Sequence, residues 1–380
     1  MTQTLSDLCY FADGRVAVSG LDLDSYISTE NMLPNKEGIT RSAGLPTVNQ
    51  TQAYQANDVL ISNIRPYFRK IWFADRDGGC SNDVLVLRTK ETCNPSFLYY
   101  LLSDNNFFDY ATAMGKGTKM PRGDKGAIMR YAIPDVPLDT QIGIAATLSA
   151  LDARIAENKK INHHLEQMAQ AIFKSWFVDF EPFGGVMPDD WREGTLSEIA
   201  TITMGQSPDG SSYNEDGIGT VFYQGRAEFG SRFPTRRLFT TQPKRMAAKG
   251  DVLMSVRAPV GDLNVAYESC CLGRGLAGIQ SNSGCQSFVL YTMFSLKQQL
   301  DMFNGEGTVF GSINKNDMAS LPVLIPSDKV LRQFEELVSP MDAVIEANYA
   351  ESCNLQAARD SLLPRLMSGE LSVADLGDAK

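Results

Sequence analysis

The sequence predicts an α+β protein built as two similar mixed globules in tandem, each followed by one long helix. Three observations predict it: landmarks that recur roughly 190 residues apart, a four-three apolar rhythm after each copy, and short β-type runs broken by turn residues. Such a period is too long for a solenoid and suits two copies of a whole domain. With 380 residues the chain can hold two cores, at roughly 100 to 200 residues per domain.

The first copy opens on Leu5-Ser6-Asp7-Leu8, which returns as Leu196-Ser197-Glu198-Ile199. Asp58-Val59-Leu60-Ile61-Ser62 with Arg65-Pro66 returns as Asp251-Val252-Leu253-Met254-Ser255 with Arg257-Ala258-Pro259, so the Arg-to-Pro step is one residue tighter in the first copy, which also has Asn57 in place of Gly250. Val84–Leu87 and Ser287–Tyr291 read as strands between Gly, Asn, Asp and Pro turns. Gly115-Lys116-Gly117-Thr118 returns as Gly305-Glu306-Gly307-Thr308, and Ala132-Ile133-Pro134 and Leu324-Ile325-Pro326 close the copies. The expected divisions are 1–139 and 181–329 for the globules, and 140–180 and 330–380 for the helices.

In the first helix Ile144, Leu148, Leu151, Ile155, Asn158, Asn162, Leu165, Ala169, Ile172 and Trp176 step by four and three, the seam of a coiled coil. Phe334, Val338, Met341, Ile345, Asn348, Ser352, Leu355, Arg359, Leu362 and Leu366 occupy the same steps in the second. Asn158 and Asn348 stand at equivalent steps, where an unpaired amide costs roughly 1 to 3 kcal/mol. Pairing them across the seam would fix the register. Pro364 is expected to bend or end the second helix near its last turns. Met168, Phe173, Trp176 and Phe177 exceed what a two-helix seam can bury, which implies helices from a partner or cover by the globules.

Composition excludes several classes. Hydrophobic residues make up 43% and charged residues 21%, as in ordinary globular proteins. No stretch approaches the ~20 apolar residues of a membrane span, and Met1–Asp7 lacks the features of a signal peptide, so a cytoplasmic protein is expected. The seven cysteines show no metal-ligand spacing, and His163 and His164 are neighbours on a helix, so no metal site is expected. No Pro-Pro pair is present for a base-flipping methyltransferase. Nor is there a GxxxxGK[ST] loop for a nucleotide-driven motor, or a GxSxG elbow. Pro134-Asp135 with Glu157-Asn158-Lys159 matches a loose nuclease expression, but a straight helix would hold those elements some 30 Å apart.

The net charge of −10 opposes nonspecific adhesion to nucleic acid. Yet Arg226, Arg232, Arg236, Arg237, Lys244, Arg245 and Lys249 crowd one segment against the single acid Glu228, and Lys116, Lys119, Arg122, Lys125 and Arg130 crowd another against Asp124. Local basic surface can still meet a polyanion.

The chain resembles the specificity subunit of type I restriction-modification systems over nearly its full length. The resemblance lies in Leu151-Asp152 through Leu165-Glu166-Gln167-Met168-Ala169-Gln170 to Trp176-Phe177, Asp179-Phe180 and Pro182. It lies also in Arg359 through Leu371, and in Gly250 through Asp262 with Gly273-Arg274-Gly275 after it. It implies two target recognition domains, each reading one half of an asymmetric bipartite DNA site, joined by an antiparallel coiled coil. About 35 ordered residues at 1.5 Å each would make that coil a ruler of roughly 50 Å, or ~15 base pairs. It also implies two modification subunits holding S-adenosylmethionine for adenine methylation, optional restriction subunits, and no cofactor in this chain.

Base and phosphate contacts need Arg, Lys, Asn, Gln or small polar donors on loops. The expected DNA contacts are therefore Arg65, Tyr67, Lys116, Thr118, Lys119 and Arg122 in the first domain. In the second they are Gln224, Arg226, Arg232, Arg236, Arg257, Thr308, Ser312, Asn314 and Lys315. Two alternatives stay open at this point: an assembly scaffold that binds no DNA, and a stand-alone nuclease.

Overall fold

The computed structural model describes residues 3–117, 120–305 and 311–373. The chain separates into two compact units, Met1–Glu157 with Glu351–Lys380, and Asn158–Ala350. Both long helices, Leu138–Phe177 and Asp328–Ser368, contribute a segment to each unit.

In the first unit an antiparallel sheet runs in the order Cys9–Phe11, Val84–Thr89, Val59–Ser62, Ile71–Phe73. A second sheet runs Arg15–Ala17, Gln50–Tyr54, Gly78–Cys80, Tyr26–Ile27, and its last two strands are parallel. Alternation along a strand explains the layering, because successive side chains leave opposite faces. Val59, Ile61, Leu85 and Leu87 share a core with Phe97 and Leu101 of helix Pro95–Ser103, while Leu60, Val84 and Val86 share one with Ile27, Tyr54 and Cys80 of the second sheet. Strand Val59–Ser62 is buried on both faces, which is why its sequence is a continuous apolar run.

The second unit repeats the plan. Its first sheet runs Ala200–Met204, Leu276–Ser281, Val252–Ser255, Leu263–Val265, strand for strand as in the first unit. The other runs Tyr213–Asn214, Phe239–Thr240, Thr220–Tyr223, Cys270–Leu272, Met246–Ala247, with Thr220–Tyr223 parallel to Cys270–Leu272. The short opening helices Leu5–Leu8 and Leu196–Ile199 start alike, each through a capping box in which Asp7 or Glu198 accepts from the amide of Thr4 or Thr195.

The helix segments pair antiparallel inside each unit. In the first, Arg154 makes a two-pronged ion pair with Glu351, and Ile144 and Leu148 share a core with Leu363 and Leu366. In the second, Asn162 Nδ2 donates to the Ile345 carbonyl at 3.1 Å, and Phe173 and Phe177 stack edgewise on Phe334. The seam amides meet in stagger: Asn158 Nδ2 reaches the Asn348 carbonyl at 3.4 Å, while Asn348 Nδ2 donates to Asn162 Oδ1 at 2.9 Å. Asn162 thus belongs to a register pattern expected from Asn158 and Asn348 alone.

A tyrosine from each globule grips its helix segment. Tyr100 Oη donates to Asp152 at 2.8 Å, and Arg359 closes on the same carboxylate at 2.5 Å. Tyr291 Oη donates to Asp342 at 2.8 Å, where Arg232 arrives at 2.5 Å. The position is repeated; the source of the arginine is not.

Three expectations change. Ser287–Tyr291 lies in helix Gln286–Ser295, because the whole run is buried and Glu335 accepts from the amides of Ser287 and Phe288 at the helix start. Both long helices begin two residues before the expected boundaries, and the second ends at Ser368, one turn past Pro364. Phe173 and Phe177, expected at a subunit interface, are 6% and 5% exposed in the second unit's own core, and Trp176 packs against that core. Only Met168 of that set is open, at 52%. Six of the seven cysteines are buried thiols, and Cys353 is exposed.

Candidate nucleic-acid interface

Four loop segments meet on one face of each unit, and the same main-chain hydrogen bonds join them twice. In the first unit Ser81 N donates to the Ile27 carbonyl (2.9 Å), Asn63 N to Asp83 (2.8 Å), Gly123 N to Asn63 (3.1 Å) and Arg65 N to Pro121 (2.8 Å). In the second, Gly273 N donates to Tyr223 (2.8 Å), Val256 N to Gly275 (2.9 Å), Ile313 N to Val256 (3.1 Å) and Ala258 N to Gly311 (3.0 Å). Single bridges, Ile64 with Arg122 and Arg257 with Ser312, complete the correspondence. The side chains are therefore carried on an over-determined backbone. Recognition groups are best held in this way, on loops that a rigid scaffold fixes.

The correspondence corrects the alignment of the copies. Arg257 stands opposite Ile64, and Arg65 opposite Ala258, so the two arginines are one station apart rather than equivalent. Arg65 adopts a left-handed φ of 51° before the turn Pro66–Phe68, which thrusts Tyr67 outward at 47% exposure. Lys116 and Arg122 project from the clipped loop but already hold Asp124 and Asp83. The Lys116 ammonium and the Ala127 amide keep the Asp124 carboxyl down at about 2.

In the second unit the basic run is largely neutralised by acids, all but Glu228 from outside the run. Arg226 pairs with Asp262, Arg236 with Glu268, Arg237 with Glu215 and Glu228, and Lys249 with Glu346. Arg232 is withdrawn from the DNA set altogether: its side chain is 8% exposed between Glu166 (3.2 Å) and Asp342 (2.5 Å). Asn314 is committed too, since its Oδ1 accepts from the amides of Asn316 and Asp317 at the start of Lys315–Ala319, and its Nδ2 donates to Asp317. Gln224, Arg257, Ser312 and Lys315 are exposed on the face. Neither Arg257 nor Lys315 has a carboxylate partner among the described residues. Thr118, Lys119 and Thr308 lie outside the described residues.

The structure adds Arg274, which the sequence presents only as part of a glycine framework. Arg274 is exposed, and it too lacks a carboxylate partner among the described residues. Its flanking glycines explain its presentation. A Cβ on Gly273 would sit 2.6 Å from the Gln224 carbonyl oxygen, and one on Gly275 would sit 3.0 Å from it. The chain is thus pressed against the end of strand Thr220–Tyr223. In the first unit Ser28 follows the matching strand and floors a 660 Å³ cleft with Asn31, Arg41, Ser81 and Asp83. Among the described residues no group of His, Cys, Asp or Glu could hold a metal, and no helix is long and apolar enough to cross a membrane.

Comparison with known proteins finds one family matched twice along the chain. Residues 4–167 and 188–349 each match the family described as "Type I restriction modification DNA specificity domain". The chain is 33% identical over 307 residues to the type I restriction enzyme MjaX specificity subunit of Methanocaldococcus jannaschii, covering 77% of this chain and 72% of that one. It is 24% identical to the type I restriction enzyme HindI specificity subunit of Haemophilus influenzae, covering 91% and 94%. Its fold is similar to the crystal structure of a type I restriction-modification system S subunit from M. genitalium, with TM-score 0.62, 17% identity and coverage of 97% and 96%.

Proposed function

Because the chain belongs to the type I restriction-modification DNA specificity family, as a recognition subunit and not an enzyme, we propose that its two units read the two halves of one asymmetric, bipartite duplex site. Reading that site directs adenine methylation by two partner modification subunits, which hold the S-adenosylmethionine, and cleavage by restriction subunits where these join. A cytoplasmic setting follows from that work on cellular DNA.

One observation carries the reading. The same four-segment face is built twice, and in an acidic chain whose arginines mostly hold carboxylates it carries Arg65 in one copy, and Arg257 and Arg274 in the other, without such partners among the described residues. Phosphates and base edges are the natural acceptors for them. Modification subunits are best accommodated on the open apolar positions of the second unit's helix segments, Met168 with Leu337 and Val344, rather than on Phe173 or Phe177.

The test is methylation of a random-sequence duplex library by the chain co-expressed with its modification subunits, read at single-base resolution. Two short specified halves around a fixed unspecified gap are expected. Methylation that is the same without this chain would overturn the proposal.

A further inference from the structure

Resting on that reading, we propose that two stations of the repeated face select bases: the residue after the parallel strand (Gln224, and Ser28 in the other copy) and the middle residue of the neighbouring turn (Arg274, and Asn82). In the second unit they read a purine-containing half-site through the major groove, with Arg274 on a guanine.

The stations are found by the hydrogen bonds rather than by sequence alignment. Gly273 N to Tyr223 and Ser81 N to Ile27 are the same bond, as are Val256 N to Gly275 and Asn63 N to Asp83. Between those bonds lies one residue in each copy, Arg274 or Asn82, and both are exposed. Gln224 and Ser28 are the residues that directly follow Tyr223 and Ile27. Each pair of stations thus comes from two adjacent parallel strands, which leave their turns on the same edge of the sheet.

Chemistry separates the two copies. Arg274 offers a planar fork of donors and no acceptor, which matches guanine O6 and N7, and Gln224 offers one donor and one acceptor, which matches adenine N6 and N7. Gly273 and Gly275 leave no room for side chains against Gln224, so Arg274 is presented from a fixed backbone beside it. The first copy has shorter groups: Asn82 Oδ1 accepts from Arg15 at 3.4 Å, and Ser28 Oγ caps its own turn beside the cleft. The two halves of the site must therefore differ in sequence although one frame reads both.

The experiment repeats the library methylation with the assembled complex carrying R274A, R274K, Q224A or N82R. R274A is expected to relax one G·C position in one half by on the order of 10- to 100-fold in preference, with the other half unchanged. R274K should relax it too, because a point charge lacks the fork. Q224A should relax a different position of the same half, and N82R should alter the opposite half alone. A motif unchanged by R274A, or uniform weakening by R274A that R274K restores, would overturn the inference by making Arg274 a bystander or a phosphate contact. Loss of a split motif in the unmutated complex would instead sink the proposed function on which the inference rests.

Discussion

Replacing Arg232 with alanine tests whether the basic run of the second unit serves DNA or the fold. The guanidinium is 8% exposed, and its two partners, Glu166 and Asp342, are 21% and 20% exposed. Its loss leaves two carboxylates facing one another, one of which still accepts from Tyr291. Removing one partner of a buried ion pair costs about 3–5 kcal/mol. Water reaches a fifth of each carboxylate, so about 2–4 kcal/mol is expected for R232A. For a unit of this size that corresponds to a fall in Tm of roughly 5–15 °C, confined to the transition of residues 158–350. Calorimetry would measure it, with hydrogen exchange assigning the transition. Adding E166Q and D342N should recover much of the loss, since the uncompensated charge is then gone. An R232A protein that melts like the parent yet no longer supports methylation would refute the reasoning and return Arg232 to the DNA.

Tyr100→Phe and Tyr291→Phe should each cost about 1.5–3 kcal/mol, the range for a hydrogen bond to a charged acceptor, with faster amide exchange only in the unit that carries the change. Arg154→Ala should cost no more than about 1 kcal/mol despite its two-pronged geometry, because Arg154 is 51% exposed; denaturant midpoints would check it. Burial pushes the Glu335 carboxyl up from its usual 4.5, so its contribution to stability is full below that value and is lost as the pH rises through its folded value. Glu335→Gln should therefore flatten the loss of stability above about pH 4.5, as followed by thermal melts across pH. The opposite sign holds at Asp124: its depressed carboxyl stabilises above 3.8, and that contribution fades as the pH falls toward about 2. Asp124→Asn should remove this acid-side dependence in the same melts.

The duplication and the two helices were legible because both leave periodic marks in the chain. The four-three rhythm, read from Ile144 and Phe334, lies within helices of 40 and 41 residues that begin six residues earlier. Ser287–Tyr291 misled because a short apolar run has no period of its own, and only the Glu335 carboxylate at its start shows the helix. The candidate face was harder to read. Arg232, Arg236 and Arg237 form a basic run in sequence, but the acids that neutralise them lie up to 110 residues away. Arg274 was in view as the middle of Gly-Arg-Gly, yet its place beside Gln224 depends on a parallel strand pairing that sequence spacing does not encode. Arg65 and Arg257 look equivalent in the chain and are one station apart in space, since the proline rather than the arginine keeps the register.

The repeated face is held by amides and carbonyls, and no side-chain hydrogen bond of Gln224, Arg257 or Arg274 takes part in that hold among the described residues. A change at those three positions should leave the surrounding architecture standing, whereas adding one methyl group to Gly273 should not. Structural duty and informational content fall on different atoms. A lineage could rewrite its target letter by letter without passing through an unfolded ancestor, and a laboratory could draw up a new one by the same route.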